Sequence, residues 1–294
     1  MLWIILTAAA APLQVARNAL QRGLVGDAGP WGATLVRFLF GLPFSLAIFA
    51  AVALATPGAA PHLSAGYVVA VIIGALSQVG ATAALLVAMR RAGFAVATVM
   101  QQSSLPLSAV FGALALGDRI GTHAWAGIAA TTVGLAILSW PRRDQLQGAG
   151  LGSALGLASG AAFAVALNAY RQAGLALEPH HPIYSATASV CVAQAIQTVI
   201  LTVALAVLRP ASLIAVARSW RPSLGAGFFG AAASACWFGA LALAPAGPVR
   251  AVGVIEAPIA AIAGRRLFRE RLSPRQLAGG ALAAIGVVAT ALVA

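Results

Sequence analysis

Lysine is absent from these 294 residues, and acids are scarce: six Asp and Glu stand against 18 basic residues, all of them arginine. Charged side chains make up 8% of the chain, where a soluble domain carries about 25%. So few cannot cover a water-soluble globule of this size. The two cysteines, Cys191 and Cys236, lie inside apolar runs without metal-ligand spacing, so both are expected to be small buried hydrophobes. His62, His123, His180 and His181 fall at or near connections, and their spacing suggests no metal site. No nucleophile elbow, phosphate loop or paired-carboxylate motif occurs. Neither a metal, a cofactor nor an enzymatic reaction is expected. The net charge of +12 also lacks the basic stripe interleaved with aromatics that would suit nucleic acid.

What is present is apolar. Hydrophobic residues reach 61% and the mean hydropathy is +0.94. Runs of roughly 20 apolar residues recur along the whole length, the pattern of helices that cross a lipid bilayer. The fold class is therefore all-α integral membrane. Residues 1–20 have no positive charge ahead of the apolar run, so they are expected to be a retained first helix and not a signal peptide. Runs bounded by Gly, Pro and Arg predict about ten transmembrane helices, over 2–22, 31–56, 65–89, 93–117, 121–140, 150–174, 182–208, 223–244, 247–268 and 274–294.

Two stretches are copies of one another. Pro106 set on Pro258 aligns Asp118-Arg119 with Glu270-Arg271, Ala126-Gly127 with Ala278-Gly279, and Gly134 with Gly286, without a gap. Each copy is a helix broken by proline, an acid-arginine turn and a further helix. The chain thus divides into repeats over 1–140 and 150–294, joined by a polar linker over 141–149. Five crossings per repeat put the second copy into the membrane upside down, so the repeats are inverted. Most arginines (Arg22, Arg90, Arg91, Arg142, Arg143, Arg209, Arg218, Arg221 and the 265–275 cluster) fall in odd-numbered connections. That places these connections in the cytoplasm and both termini outside.

An acid at the bilayer centre costs about 2.5–3.5 kcal/mol on insertion scales, so Glu256, two residues before Pro258, is the foremost candidate for proton coupling or for binding an amine. Its structural alternative is a carboxyl paired with an arginine. Gln14, Arg17, Asn18 and Gln21 recur at helical spacing and must face the bundle interior. Arg37 in the second helix either snorkels or points inward. Gln78 and Thr82 share one face, as do Gln101, Ser104 and Ser108, and as do Thr187, Cys191, Gln194 and Thr198. Together these stripes suggest a shared polar cavity, with Trp237, Tyr170 and Tyr184 as possible walls. Arg250 is expected to be an interfacial anchor, and Trp3, Trp31, Trp125, Trp140 and Trp220 to be belt aromatics. Gly148, Gly152, Gly156 and Gly160 at four-residue spacing make a smooth packing face.

Leu116-Gly117-Asp118-Arg119-Ile120 and Phe268-Arg269-Glu270-Arg271-Leu272 each close a broken helix, and each precedes a Gly-containing last helix. In this the chain resembles the repeated domain of the bacterial drug/metabolite transporter superfamily, EamA type, and Arg37-Phe38 looks like that family's arginine–phenylalanine position. The resemblance implies two inverted five-helix repeats around a cavity open alternately to either side of the bacterial cytoplasmic membrane. It implies a secondary transporter of small solutes, an exporter of amino acids or related zwitterions. The alternatives are a proton-coupled multidrug or organic-cation exporter and a membrane scaffold without transport. Candidate solute or coupling residues are Glu256, Gln14, Arg17, Asn18, Arg37, Gln78, Thr82, Gln101, Ser104 and Trp237, with helix breaks at Pro106 and Pro258. Such a protein's partners are a small solute, a coupled proton and the lipid bilayer.

Overall fold

The computed structural model describes residues 1–139, 146–268 and 274–293. Within them every regular element is a helix. The elements run α1 (Leu2–Leu39), α2 (Leu42–Ala55), α3 (Ala65–Ala92), α4 (Phe94–Gln101), α5 (Ser104–Ala115), α6 (Thr122–Ser139) and α7 (Leu146–Leu177). They continue with α8 (Pro182–Leu208), α9 (Pro210–Arg218), α10 (Trp220–Leu243), α11 (Ala246–Gly253), α12 (Glu256–Phe268) and α13 (Pro274–Val293). Six helical segments are long and apolar enough to cross a membrane, the first being Leu2–Ala55. The protein is thus a multi-pass membrane protein. The linker residues 141–145 and the second acid-arginine turn, 269–273, lie outside the described residues.

The first segment is a hairpin, not a rod. Gly29 sits at φ 70°, ψ 172°, a conformation that a Cβ makes costly, and Pro30 restarts the helix with its fixed φ. Gln21 Nε2 donates to the Ala33 carbonyl at 2.7 Å. Twelve residues of straight helix would put those groups about 18 Å apart. The chain reverses at Gly29, and the expected loop over 23–30 shrinks to one residue. A further helix that the sequence reading lacked, α9, occupies the connection before α10.

The two broken helices open at matching places. α4 ends at Gln101 and α5 begins at Ser104, while α11 ends at Gly253 and α12 begins at Glu256. The gaps lie before Pro106 and Pro258, not at them. Proline clashes with the carbonyl four residues back and offers it no N–H, and those carbonyls belong to Gln102 and Val254. Both breaks tighten into three-residue turns there, with Ser103 N–H on Met100 O at 3.1 Å and Ile255 N–H on Val252 O at 3.3 Å.

The long packed pairs are α3 with α7, α6 with α13 and α1 with α10. The broken helices cross so that α4 meets α12 and α5 meets α11. Glycines set the closest approaches. A Cβ on Gly134 would stand 2.3 Å from Ala283 N and 2.8 Å from Gly279 O; one on Gly286 would stand 2.5 Å from Thr131 N and 2.7 Å from Gly127 O. Along α7, Gly152 lies against Ala92, Gly156 against Met100 and Gly160 against the Gln101–Ser104 break. The glycine face of α7 therefore seats the first break.

Candidate polar cavity at the helix breaks

Burial in this molecule is decided by polarity as much as by size. Arg17, Arg37, Arg250 and Glu256 are all at most 2% exposed, while apolar residues such as Leu54 and Leu114 face outward. In lipid that inversion is the stable one, because polar groups find partners only inside the bundle.

Glu256 opens α12, where the helix dipole favours an acid, and Arg250 stands in the last turn of α11, where it favours a cation. Arg250 Nη1 lies 3.7 Å from Glu256 Oε2. The same carboxylate accepts from Gln14 Nε2 at 2.7 Å, from Gln102 Nε2 at 3.4 Å and from Asn18 Nδ2 at 3.5 Å. Arg250 also donates through Nε to Ser104 Oγ at 2.7 Å and through Nη2 to Gln102 Oε1. Its guanidinium lies over the Trp237 ring, 5.1 Å from the centroid, and Trp237 Nε1 donates to Gln14 Oε1 at 2.9 Å. α1, both breaks and α10 are thus tied at one point. Gly253 lets the indole in: a Cβ there would stand 2.2 Å from Trp237 Cη2.

A second network lies beside the first. Arg37 donates to Thr82 Oγ1 at 3.1 Å and Ser234 Oγ at 3.4 Å. Tyr170 Oη donates to Gln78 Oε1 at 2.9 Å, and Gln197 Nε2 donates to the same Gln78 oxygen at 2.8 Å. Between the two networks is a cavity lined by Gln14, Arg37, Gln78, Gln101, Ser234 and Arg250, and on its apolar side by Phe163, Tyr170, Trp237 and Phe238 among others. It offers about 30 Å³ to the centre of a water-sized sphere, room for about two waters.

Of the residues singled out from sequence, Gln14, Arg37, Gln78, Gln101 and Trp237 line the cavity. Glu256, Ser104 and Thr82 stand one bond behind it, Asn18 stands behind Glu256, and Arg17 donates to Asn18 Oδ1 at 2.6 Å. Three expectations are corrected. Arg250 is no interfacial anchor but is buried, because Glu256, Gln102 and Ser104 turn it inward. Trp3 is 8% exposed in a core cluster, not in the aromatic belt. Tyr184 packs on Phe49 with ring centroids 5.2 Å apart and does not line the cavity. Gln102, Gln197, Ser234, Phe163 and Phe238 were not singled out. Gln102 was legible as part of Gln101-Gln102, but the aromatics carry no signal within an apolar run.

Next to Tyr170 on α7, Arg171 holds the first acid-arginine turn. Arg171 Nη2 lies 2.8 Å from Asp118 Oδ1, and its Nη1 donates to the Leu241 and Ala244 carbonyls at 2.9 and 2.8 Å. One side chain thereby pins the turn after α5, α7 and the end of α10.

Membrane helices interrupted around a buried polar centre are the kind of arrangement in which transporters hold a solute. Residues 1–140, just under half of the chain, match the model of the EamA-like transporter family, and that stretch is similar to a family of membrane transporters. A solved structure titled "Crystal structure of protein" superposes with a TM-score of 0.65 at 20% identity, covering 99% of this chain and 97% of that one. At that identity the likeness speaks for the fold alone. No curated protein matches the chain.

Proposed function

We propose that the protein is a secondary transporter that exports small carboxylate-bearing metabolites, amino acids or related solutes, across a bacterial cytoplasmic membrane by alternating access. The observation that carries this reading is the cavity, lined by polar and aromatic side chains together and bordered by residues of both broken helices, Gln101 and Arg250. Ten crossings in two inverted repeats, 1–140 and 150–294, are part of the proposal. It is supported by packing that survives exchange of the halves. Adding 152 to Gly127, Thr131 and Gly134 gives Gly279, Ala283 and Gly286, and the two sets meet reciprocally. The reversal at Gly29 supplies one of the crossings.

In this mechanism the breaks are hinges, and rocking one repeat against the other opens the cavity to either side. Glu256 is the coupling carboxyl. A proton on it removes the counter-charge of Arg250 and loosens the bonds that hold Gln14, Gln102 and Asn18 together. The proposal puts both termini outside, which the arginine-rich odd connections support.

The test is counterflow in proteoliposomes, comparing an amino acid with a quaternary amine, with and without a pH gradient. Amino-acid flux that responds to the gradient, with the response lost in Glu256→Gln, supports the reading. Flux of the quaternary amine in its place would favour organic-cation export, and no flux over a broad solute panel would leave a scaffold.

A further inference from the structure

Four ionisable side chains are buried around the cavity: Arg17, Arg37, Arg250 and Glu256. Glu256 neutralises Arg250. Among the described residues neither Arg17 nor Arg37 has a carboxylate within ion-pair distance. Their partners are neutral: Asn18 Oδ1 for Arg17, Thr82 and Ser234 hydroxyls for Arg37. Arg17 Nη1 and Arg37 Nε have no hydrogen-bond partner at all. The two stems flank Gly230 of α10, where a Cβ would stand 3.2 Å from Arg37 Cγ and 3.3 Å from Arg17 Cδ. Arg17 lies within Coulombic reach of Glu256, but that one carboxylate already pairs with Arg250. Among the described residues three buried cations thus share a single acid, and Arg37 is left without a counter-ion. A buried charge is kept in a low-dielectric interior only when something pairs with it.

We propose that the solute is that counter-charge: the cavity takes a small organic anion, a carboxylate on an apolar or aromatic body, for which an amino group is dispensable. This rests on the transporter reading above and narrows its substrate. Arg37 lines the cavity and presents the fork that matches a carboxylate. Phe163, Tyr170, Trp237 and Phe238 receive the apolar body. An ammonium finds no acid facing it, because Glu256 is not part of the lining and its oxygens are taken by Gln14, Asn18, Gln102 and Arg250. Among the described residues the one unpartnered acceptor on the wall is neutral, Gln101 Oε1.

Three molecules of matched bulk separate these terms: 3-phenylpropionate, phenylalanine and phenethylamine. Their binding to the purified full-length protein in nanodiscs is read by equilibrium dialysis with labelled compounds. 3-Phenylpropionate is expected to bind about tenfold or more tightly than phenylalanine, with phenethylamine weakest. Arg37→Gln should weaken the acid about tenfold or more, and Arg37→Lys should keep the order of the three while binding each less tightly. The wild-type order needs no variant to fold. Phenylalanine binding as tightly as 3-phenylpropionate, or phenethylamine binding best, overturns the anion preference and leaves the transporter reading to the counterflow assay. Failure of all three to bind also overturns it, and only a silent counterflow panel removes both.

Discussion

The two broken helices share a backbone and differ in chemistry. Each opens four residues before its proline and is crossed by the other. Yet where α5 begins with Ser104, α12 begins with Glu256, and where α4 has Thr98, α11 has Arg250. Thr98 is buried with its hydroxyl unpartnered, whereas Arg250 reaches across to Ser104 and Gln102 of the opposite break. The second copy therefore supplies both charges of the pair, and the first supplies neutral groups that orient them. On the proposed duplication both copies keep the break, and only the second arm carries charges at it, Arg250 and Glu256.

The sharpest way to break this contrast is to unload that arm. Glu256→Ala leaves Arg250 buried without its carboxylate and should cost about 3–5 kcal/mol of stability, the usual result of removing one partner of a buried ion pair. Thermal unfolding of the purified protein reads it. The double variant Arg250→Leu with Glu256→Leu should recover most of the loss, since apolar replacement of a whole buried pair is often neutral. No recovery would mean that the network is held by Gln14 and Gln102 and not by the charges. Ser104→Ala, at the matching place of the first copy, should cost much less.

A smaller effect is expected where the acid-arginine turn meets α7. Asp118→Asn removes the charge that Arg171 grips, a loss of about 1.5–3 kcal/mol for a hydrogen bond to an ionised group. Both side chains are largely buried, Arg171 12% and Asp118 7% exposed, so added salt should change the wild-type contact little. Cross-linking of cysteines placed at 118 and 171 would read whether the contact opens during counterflow. A cross-link that leaves flux intact would show that this contact does not gate.

Much of the cavity was legible because lipid leaves few choices. In an apolar helix a glutamine must turn inward, so Gln14, Gln78 and Gln101 could be named from spacing, while Arg37 was open between snorkelling and pointing inward. Arg250 could not be named. It lies five residues after Pro245, near enough to a helix start for a long side chain to snorkel. What turns it inward is Glu256, Ser104 and Trp237, and their distance from it is a tertiary fact. The prolines were legible as breaks, but the gap falls at the carbonyl each one displaces. The reversal at Gly29 was hidden because Gly-Pro marks a turn without giving its length.

Gly134 and Gly286 test whether the copies are equal as well as alike. Both would push a Cβ into backbone of the opposite helix, at 2.3 and 2.5 Å. Gly134→Ala and Gly286→Ala should each cost about 1–3 kcal/mol, and the two losses should agree within about 0.5 kcal/mol if α6 and α13 are related by a two-fold axis. The double variant should cost less than the sum, because one displacement of the helices relieves both contacts. Losses differing by more than a factor of two would place the axis elsewhere.

The prolines should change stability least and flux most unequally. Pro106→Ala restores an N–H aimed at Gln102 O, and Pro258→Ala restores one aimed at Val254 O, so each variant can regain a hydrogen bond. Against that gain stands the more mobile unfolded chain of a protein lacking a proline, and the net change in unfolding temperature should be small in both. Closing a break, however, rotates the helix beyond it by about 100° per residue gained. In the first copy that displaces Ser104, whose role is to accept one bond from Arg250. In the second it displaces Glu256 from Gln14, Asn18, Gln102 and Arg250 together. Pro258→Ala should therefore reduce counterflow far more than Pro106→Ala at nearly equal stability. Equal reductions would mean that the breaks serve as hinges alone and that the charge on the second arm is incidental to transport.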